Sequence, residues 1–302
     1  MPVLKSLFRR NYAEDNLRII ITRHGERADI ALGPHWFRNL RKTGGRYSGV
    51  SYLVPRPDDS EWENDPPLTI RGEHQSRSTG RKLLQLGYPI DYCYSSPAYR
   101  SVQTASKILE SQGRKAVPIN IEPGLFECSS WHRNAPLSFI PPEYLAADKH
   151  FNIDPYYTPV YNTIDAVEDE GSYYQRSRLL IDAIVKAHKH QGGTILLSGH
   201  AGSIEVITRG MLGRSARPER LHFEADKVDF CNFAILERDA NTNQWLIHPP
   251  YSNESYYSGH ENIPSTIPLH RATSQYIGAN PLRGSSSYSE FYPLRNKLYR
   301  YY

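Results

Sequence analysis

The sequence predicts an α/β domain of three layers, a mostly parallel central sheet with helices on both faces and an inserted cap. Three observations predict it. Short β-branched or apolar runs at Ile19–Thr22, Ile90–Ser95 and Thr194–Ser198 have strand rather than helix length and end at Gly, Ser or His. Between them lie stretches whose apolar residues recur at helical spacing. Charged groups follow directly on the strand ends, where ligands bind in open α/β sheets.

The elements follow in order. Residues 1–16 read as a basic leader. Leu17–Asp29, LRIIITRHGERAD, is a buried strand stopped by Gly25, with Arg23, His24 and Arg27 at its end. Arg27–Leu40 is expected to form one helix carrying Ile30, Trp36 and Phe37. Arg41–Pro67 has no sustained periodicity and is expected to be a long surface loop. Thr69 is a candidate N-cap with Glu73 in the first turn; Leu83, Leu84 and Leu86 supply an apolar face before Gly87. After the strand Ile90–Ser95, Ser95-Ser96-Pro97 has the form of a serine cap with proline at the first helical position. The helix it opens carries Val102, Ala105, Ile108 and Leu109. A third strand is expected over Ile119–Phe126, interrupted at Pro123-Gly124.

Cys128–Asp169 turns Pro- and Tyr-rich, with a short helix at Pro142–Ala147, and reads as a cap inserted over the strand ends at about 128–170. Ser172 is expected to open a strong helix with Tyr173, Arg176, Leu179, Leu180, Ala183, Ile184 and Ala187 on one face. Gly192-Gly193 ends it and Thr194–Ser198 is a buried strand. Ser203–Leu212 is helical, and Cys231–Glu237 with Asn243–Ile247 gives a last strand and a weaker partner. The domain therefore spans 17–250. Residues 251–302, rich in Ser, Tyr, Asn and Pro with few aliphatics, are expected to be a tail that does not fold alone.

A chain of 302 residues with 39% hydrophobic residues is large enough for one such domain, and its 22 prolines and 22 tyrosines accord with long irregular segments. The net charge of +4 suits an anionic small molecule or a phosphoprotein. It lacks the concentrated Lys/Arg blocks of a nucleic-acid binder. Three cysteines without CxxC spacing argue against a disulfide framework or a zinc site and for a reducing compartment. No segment has the form of a signal peptide or a membrane span, so a cytoplasmic protein without membrane attachment is expected.

The chemistry gathers at four places: Arg23, His24 and Arg27 in RHGER, Arg100 in SSPAYRSVQTA, Glu127 in EPGLFE, and His200 in SGHAGS. The first is a cationic pocket around a titratable nitrogen. All four sit after strand ends or in the first turn of the helices there, which brings them to one edge of the sheet.

In that order these motifs resemble the histidine phosphatase superfamily, with its phosphoglycerate-mutase-like fold. RHGERAD, KTGGRY, NDPPLTIRG, DYCYSSPAYRSVQTA, IEPGLFE, FIPPEYLAA and SGHAGSIE narrow the resemblance to one branch. It is that of the suppressor of T-cell-receptor signalling proteins and the ecdysteroid phosphate phosphatases. The resemblance covers their phosphatase domain alone. It implies His24 as a nucleophile that becomes phosphohistidine, with Arg23, Arg27, Arg100 and His200 around the phosphoryl group and Glu127 as general acid. Elementary chemistry agrees: imidazole is nucleophilic near pH 7, and guanidinium forks match the equatorial oxygens of a phosphoryl group without a metal or other cofactor. Where relatives of this branch carry Trp after the acid, this chain has Cys128, while Trp131 keeps the second Trp. That departure bears on the pocket wall and so on substrate preference.

The resemblance thus implies a metal-independent phosphomonoesterase acting on protein phosphotyrosine or on a small aromatic or steroid phosphate, and a homodimer. The same residues also admit a phosphoglycerate-type mutase or a catalytically weak phosphoprotein-binding scaffold. A metallohydrolase using His24, His200 and Glu127 as ligands is disfavoured by the surrounding arginines.

Overall fold

Strand β1 (Leu17–Arg23) is buried along its whole length because it lies inside a six-stranded sheet. The computed structural model describes residues 16–42, 49–132, 137–239 and 242–248. The leader before Asn16, the KTGGRY motif beyond Lys42 and the 251–302 tail lie outside the described residues. The other strands are β2 (Tyr92–Ser95), β3 (Ile119–Ile121), β4 (Gly193–Gly199), β5 (Phe233–Arg238) and β6 (Trp245–Ile247), in the order β3-β2-β4-β1-β5-β6. β1 to β4 are mutually parallel; β5 joins β1 antiparallel and β6 extends it as a hairpin partner. The α/β architecture read from the sequence is therefore borne out, with an antiparallel pair at one margin.

Strand alternation sends successive side chains to opposite faces, and the core divides accordingly. Ile20, Cys93 and Leu196 face one cluster, built with α3 (Ile70–Gln85) and α4 (Tyr99–Ser111). Ile19, Ile21, Ile195 and Leu197 face the other, built with α6 (Glu170–His188), α7 (Ala201–Met211) and α8 (Leu221–Ala225). The first turn of α3 is capped as expected, Thr69 Oγ1 accepting from Gly72 N at 2.9 Å. The cap segment carries its short helix, α5 (Pro142–Ala147), at the expected bounds.

Several local expectations are corrected. The helix expected over Arg27–Leu40 is two, α1 (Ala28–Leu32) and α2 (Trp36–Lys42), because Gly33 takes φ +87° and Pro34 follows it. The 41–67 segment is not simply a surface loop: Val54, Trp62, Arg56 and Asp65 are buried, and a 3₁₀ turn spans Asp59–Glu63. α3 buries Gly72, Ser76, Thr79, Gly80 and Leu83 but leaves Leu84 exposed, since its inner face must lie close to α4. Ser96-Pro97 does not cap α4, which starts at Tyr99 after Ala98. β3 ends at Ile121, giving way to a 3₁₀ turn at Pro123–Leu125. α6 begins two residues before Ser172, capped by Asp169, and leaves Leu179 and Ala187 on its exposed side.

Two contacts fix the site's frame. Gly25 sits against α3 so tightly that a Cβ there would stand 2.5 Å from the Gly72 carbonyl oxygen, and a Cβ on Gly72 would overlap the Glu26 carbonyl. Glu122, fully buried, accepts from Gly124 N, Tyr157 Oη, Val160 N and Tyr161 N, so one carboxylate ties the end of β3 to the cap. Gly72→Ala should therefore destabilise the fold by about 1–3 kcal/mol through overpacking. Chemical denaturation checks this; an unchanged midpoint would show that the two backbones separate at no cost.

Candidate active site

The strand ends of β1, β2 and β4 and the start of α4 assemble one buried cluster. His24 follows directly on β1, its backbone N–H donating to Gly199 O at 3.1 Å across to β4. Its Nδ1 lies 2.8 Å from the Gly25 carbonyl oxygen. A carbonyl only accepts, so Nδ1 carries the hydrogen and Nε2 is the nitrogen with an available lone pair. Burial, with Arg100, His200, Arg23 and Arg27 around it, holds the imidazole well below its ordinary range. His24 is thus neutral and nucleophilic in character near pH 7.

Arg100, on the first turn of α4, is 1% exposed. Its Nη2 donates to Glu127 Oε1 at 2.7 Å and faces His200 Nδ1 at 3.3 Å, while Nη1 stands 3.8 Å from Asp65 Oδ1. Among the described residues its buried Nε has no hydrogen-bond partner. His200 precedes α7 and is fully buried, its ring edge-on to His24 at 5.4 Å between centroids. Nε2 is 2.8 Å from Ser96 Oγ, and Nδ1 is 3.3 Å from Glu127 Oε1. With Nδ1 accepting from Arg100, the neutral ring donates from Nε2 to Ser96; donation to Glu127 needs the other tautomer. Burial, helped by Arg100 and opposed by Glu127, pushes His200 down to about 4.

The structure brings His24, Arg100, Glu127 and His200 into this one network. Arg23 and Arg27 adjoin it, each engaged with other protein groups. Arg23 Nη1 donates to the Val228 carbonyl and its guanidinium lies 4.3 Å from the Phe230 ring centroid, a ring that also flanks His24. Arg27 forms a two-pronged pair with Asp29 at 2.5 and 2.8 Å.

Glu127 lies beyond the 3₁₀ turn that follows β3. Arg176 of α6 reaches under this segment, donating to the Gly124, Phe126 and Glu127 carbonyls at 2.6, 3.0 and 3.4 Å while pairing with Glu168. Burial raises the Glu127 pKa, but His200 and the hydrogen bond from His132 more than reverse this and hold it well below the usual carboxylate range. The resting site therefore carries an ionised Glu127, contrary to what a waiting general acid would show.

Sequence reasoning passed over Ser96, Asp65, His132 and Arg176 as site-supporting groups. Ser96 and Asp65 fall inside the motifs DYCYSSPAYRSVQTA and NDPPLTIRG, but local pattern shows the first as a cap and the second as part of a loop. Asp65 in fact accepts from Tyr99 N and from Arg56 at 2.9 Å each, placing it behind Arg100. His132 follows Trp131, one residue beyond the matched pattern. Cys128 packs against Ser130 and the Glu168 carbonyl, and burial pushes its thiol up to about 11, which makes it a packing residue. Among the described residues no cluster of His, Cys, Asp and Glu is arranged to hold a metal ion, and no helix is long and apolar enough to cross a membrane.

Comparison with known proteins gives a consistent result. Residues 58–247 match the histidine phosphatase superfamily (branch 1), a stretch that includes Arg100, Glu127 and His200 and begins after His24. The chain is 32% identical over 243 residues to human ubiquitin-associated and SH3 domain-containing protein B (Homo sapiens), covering 77% of this chain and 37% of that protein. It is 30% identical over 236 residues to the ecdysteroid-phosphate phosphatase of Drosophila melanogaster, covering 74% of this chain and 31% of that one. It therefore spans about a third of the length of these relatives. The crystal structure of the ecdysone phosphate phosphatase from Bombix mori in complex with tungstate superposes with a TM-score of 0.65 at 24% identity, over 84% of this chain and 98% of that one. That likeness establishes the shared fold.

The buried histidine has a stability signature. Its pKa is lower folded than the unfolded value of about 6.5, so between those values the unfolded chain binds more protons. Stability is thus complete above about pH 6.5 and is lost as pH falls toward 4. His200 should contribute a loss of about 2 kcal/mol between pH 7 and 5. Denaturant titrations of wild type and H200Q at both pH values test this. An identical acid slope in the variant would remove His200 as the source.

Proposed function

Because the chain belongs to the histidine phosphatase superfamily, we propose that it is a metal-independent phosphomonoesterase working through a phosphohistidine on His24. The observation that carries this is the pairing of a buried, neutral His24, its Nε2 lone pair available, with a buried Arg100 whose Nε lacks a partner among the described residues. A cation held dry with unused donors suits an anionic ligand. A neutral imidazole beside it suits nucleophilic attack.

In the first half-reaction His24 Nε2 attacks phosphorus, the N–P bond forms and the bond to the leaving oxygen breaks. Arg23, Arg27, Arg100 and His200 stabilise the equatorial oxygens. Glu127 gives its proton to the leaving oxygen. In the second half a water attacks the phosphohistidine, Glu127 takes the water's proton, and the N–P bond breaks to release phosphate and neutral His24. The ionised resting state of Glu127 fits this cycle once substrate is present. A phosphate dianion competes for Arg100 and sets a like charge beside Glu127, and both effects raise the carboxyl's pKa. The acid is loaded by substrate rather than in advance.

The substrate class we propose is a phosphotyrosine-containing protein or a small aromatic or steroid phosphate; the name of the ecdysteroid-phosphate phosphatase supports the steroid member. Phe126 and Phe230 beside the two histidines provide apolar walls in keeping with an aromatic leaving group. The protein is proposed to act in the cytoplasm, as a homodimer, with 17–250 as its catalytic unit and about 128–170 as its cap.

Turnover of p-nitrophenyl phosphate should persist in EDTA, stop with vanadate and vanish in H24A. Loss in EDTA, or a substantial rate left in H24A, would exclude the mechanism. E127Q should slow alkyl phosphates by about 10²–10⁴-fold and p-nitrophenyl phosphate far less, because only the former need protonation. Equal slowing of both would remove Glu127 from the acid role.

A further inference from the structure

Arg100 and His132 converge on one oxygen of Glu127, with His200 beside it, and among the described residues the other oxygen has no hydrogen bond. Oε1 lies 2.7 Å from Arg100 Nη2, 3.0 Å from His132 Nε2 and 3.3 Å from His200 Nδ1. Oε2 has no hydrogen-bond partner among the described residues, in a side chain 12% exposed. Oε1 is thus the anchored oxygen. Of these three neighbours, Arg100 never releases its proton and His200 is buried completely, its Nδ1 accepting from Arg100. His132 alone combines a titratable proton on Glu127 with contact to water, its side chain being 15% exposed.

We propose that His132 is the proton-supplying partner of Glu127, loading the acid for the first half-reaction and orienting its carboxyl. The proposal rests on the phosphatase reading above and deepens it. The site begins with Glu127 ionised, yet a leaving alkoxide needs a proton at once. When substrate draws Arg100 toward its phosphate, the proton on His132 Nε2 passes to Glu127: the N–H bond breaks, an O–H bond forms, imidazolium becomes imidazole and carboxylate becomes carboxylic acid. Rotation of the carboxyl then presents the acidic oxygen to the leaving group, and solvent reprotonates the exposed edge of His132.

The charged groups around the carboxyl come from several elements. Glu127 is faced by Arg100 from α4, by His200 from the start of α7 and by His132 from the 3₁₀ turn at Ser129–His132; Arg176 of α6 holds its carbonyl. Asp65 stands behind Arg100 at 3.8 Å, and the Phe126 ring flanks both His132 and His200, at 5.2 and 5.1 Å between centroids. Among the described residues His132 therefore meets one carboxylate and an apolar ring.

The discriminating variant is H132Q, whose amide can still donate to Oε1 but carries no transferable proton. In wild type the rate toward alkyl phosphates should fall as pH rises through the titration of an imidazole. In H132Q kcat should drop about tenfold or more while KM stays within about threefold, and the alkaline limb should disappear. An H132Q enzyme with the wild-type rate and alkaline limb would reduce His132 to a spacer and overturn the proposal. A second arm needs no turnover. In NMR spectra at one fixed pH the His132 Nε2 resonance should move between wild type and E127Q, because its bond to Oε1 is altered. An unmoved resonance overturns the pairing even in a protein with no phosphatase activity. Failure of wild type to hydrolyse p-nitrophenyl phosphate counts against the phosphatase reading separately.

Discussion

A guanidinium taken out of water must be answered, and the way Arg100 is answered organises this molecule. Burying the charge costs several kcal/mol before any partner is counted. The fold meets that cost with a carboxylate on each side, Asp65 from the segment before α3 and Glu127 from the turn after β3. Each partner needs support of its own. Asp65 is paired with Arg56, which lies over the Trp62 ring, and this is why a stretch of irregular sequence is packed inward. Glu127 needs His132 and the Arg176 clamp. The charges are balanced without leaving Arg100 saturated, and a residual donor at the end of the sheet is what an anion can use.

In the proposed mechanism the site rests in a form different from its working one. His24 and His200 are kept neutral chiefly by burial, whereas Glu127 is kept charged against burial by its neighbours. His24 and Glu127 thus have their pKa values pushed down together, the first chiefly by burial and the second by its histidine neighbours. In the proposed mechanism an incoming dianion adds negative charge beside Glu127 and relaxes it toward its protonated form, while the Nδ1 bond to Gly25 keeps the His24 tautomer fixed.

Much of this was legible in the sequence, for identifiable reasons. The buried strands, the Thr69 cap and the α5 bounds follow from local pattern and hydrogen bonding, and the four charged groups were found because each follows a strand end. What escaped reading depends on partners far along the chain. Ser96 looks like a cap because Ser-Ser-Pro favours one, but His200, 104 residues away, claims its hydroxyl. Asp65 belongs to a segment without periodicity, yet buried arginines draw it in. α3 was assigned an apolar face of leucines, while the tight approach to Gly25 and α4 selects small residues instead. The break after Leu32 was available in Gly33-Pro34, and the apolar residues on either side obscured it.

The Arg176 clamp carries one more consequence. It grips the three carbonyls around Glu127 from α6, a helix packed on the sheet, while Glu168, just before that helix, holds the same guanidinium. His132, on the Glu127 carboxyl itself, belongs to the same 128–170 segment. Exchanges at His132 or Glu168 would therefore disturb the carboxyl, whereas exchanges elsewhere in that segment leave its supports in place.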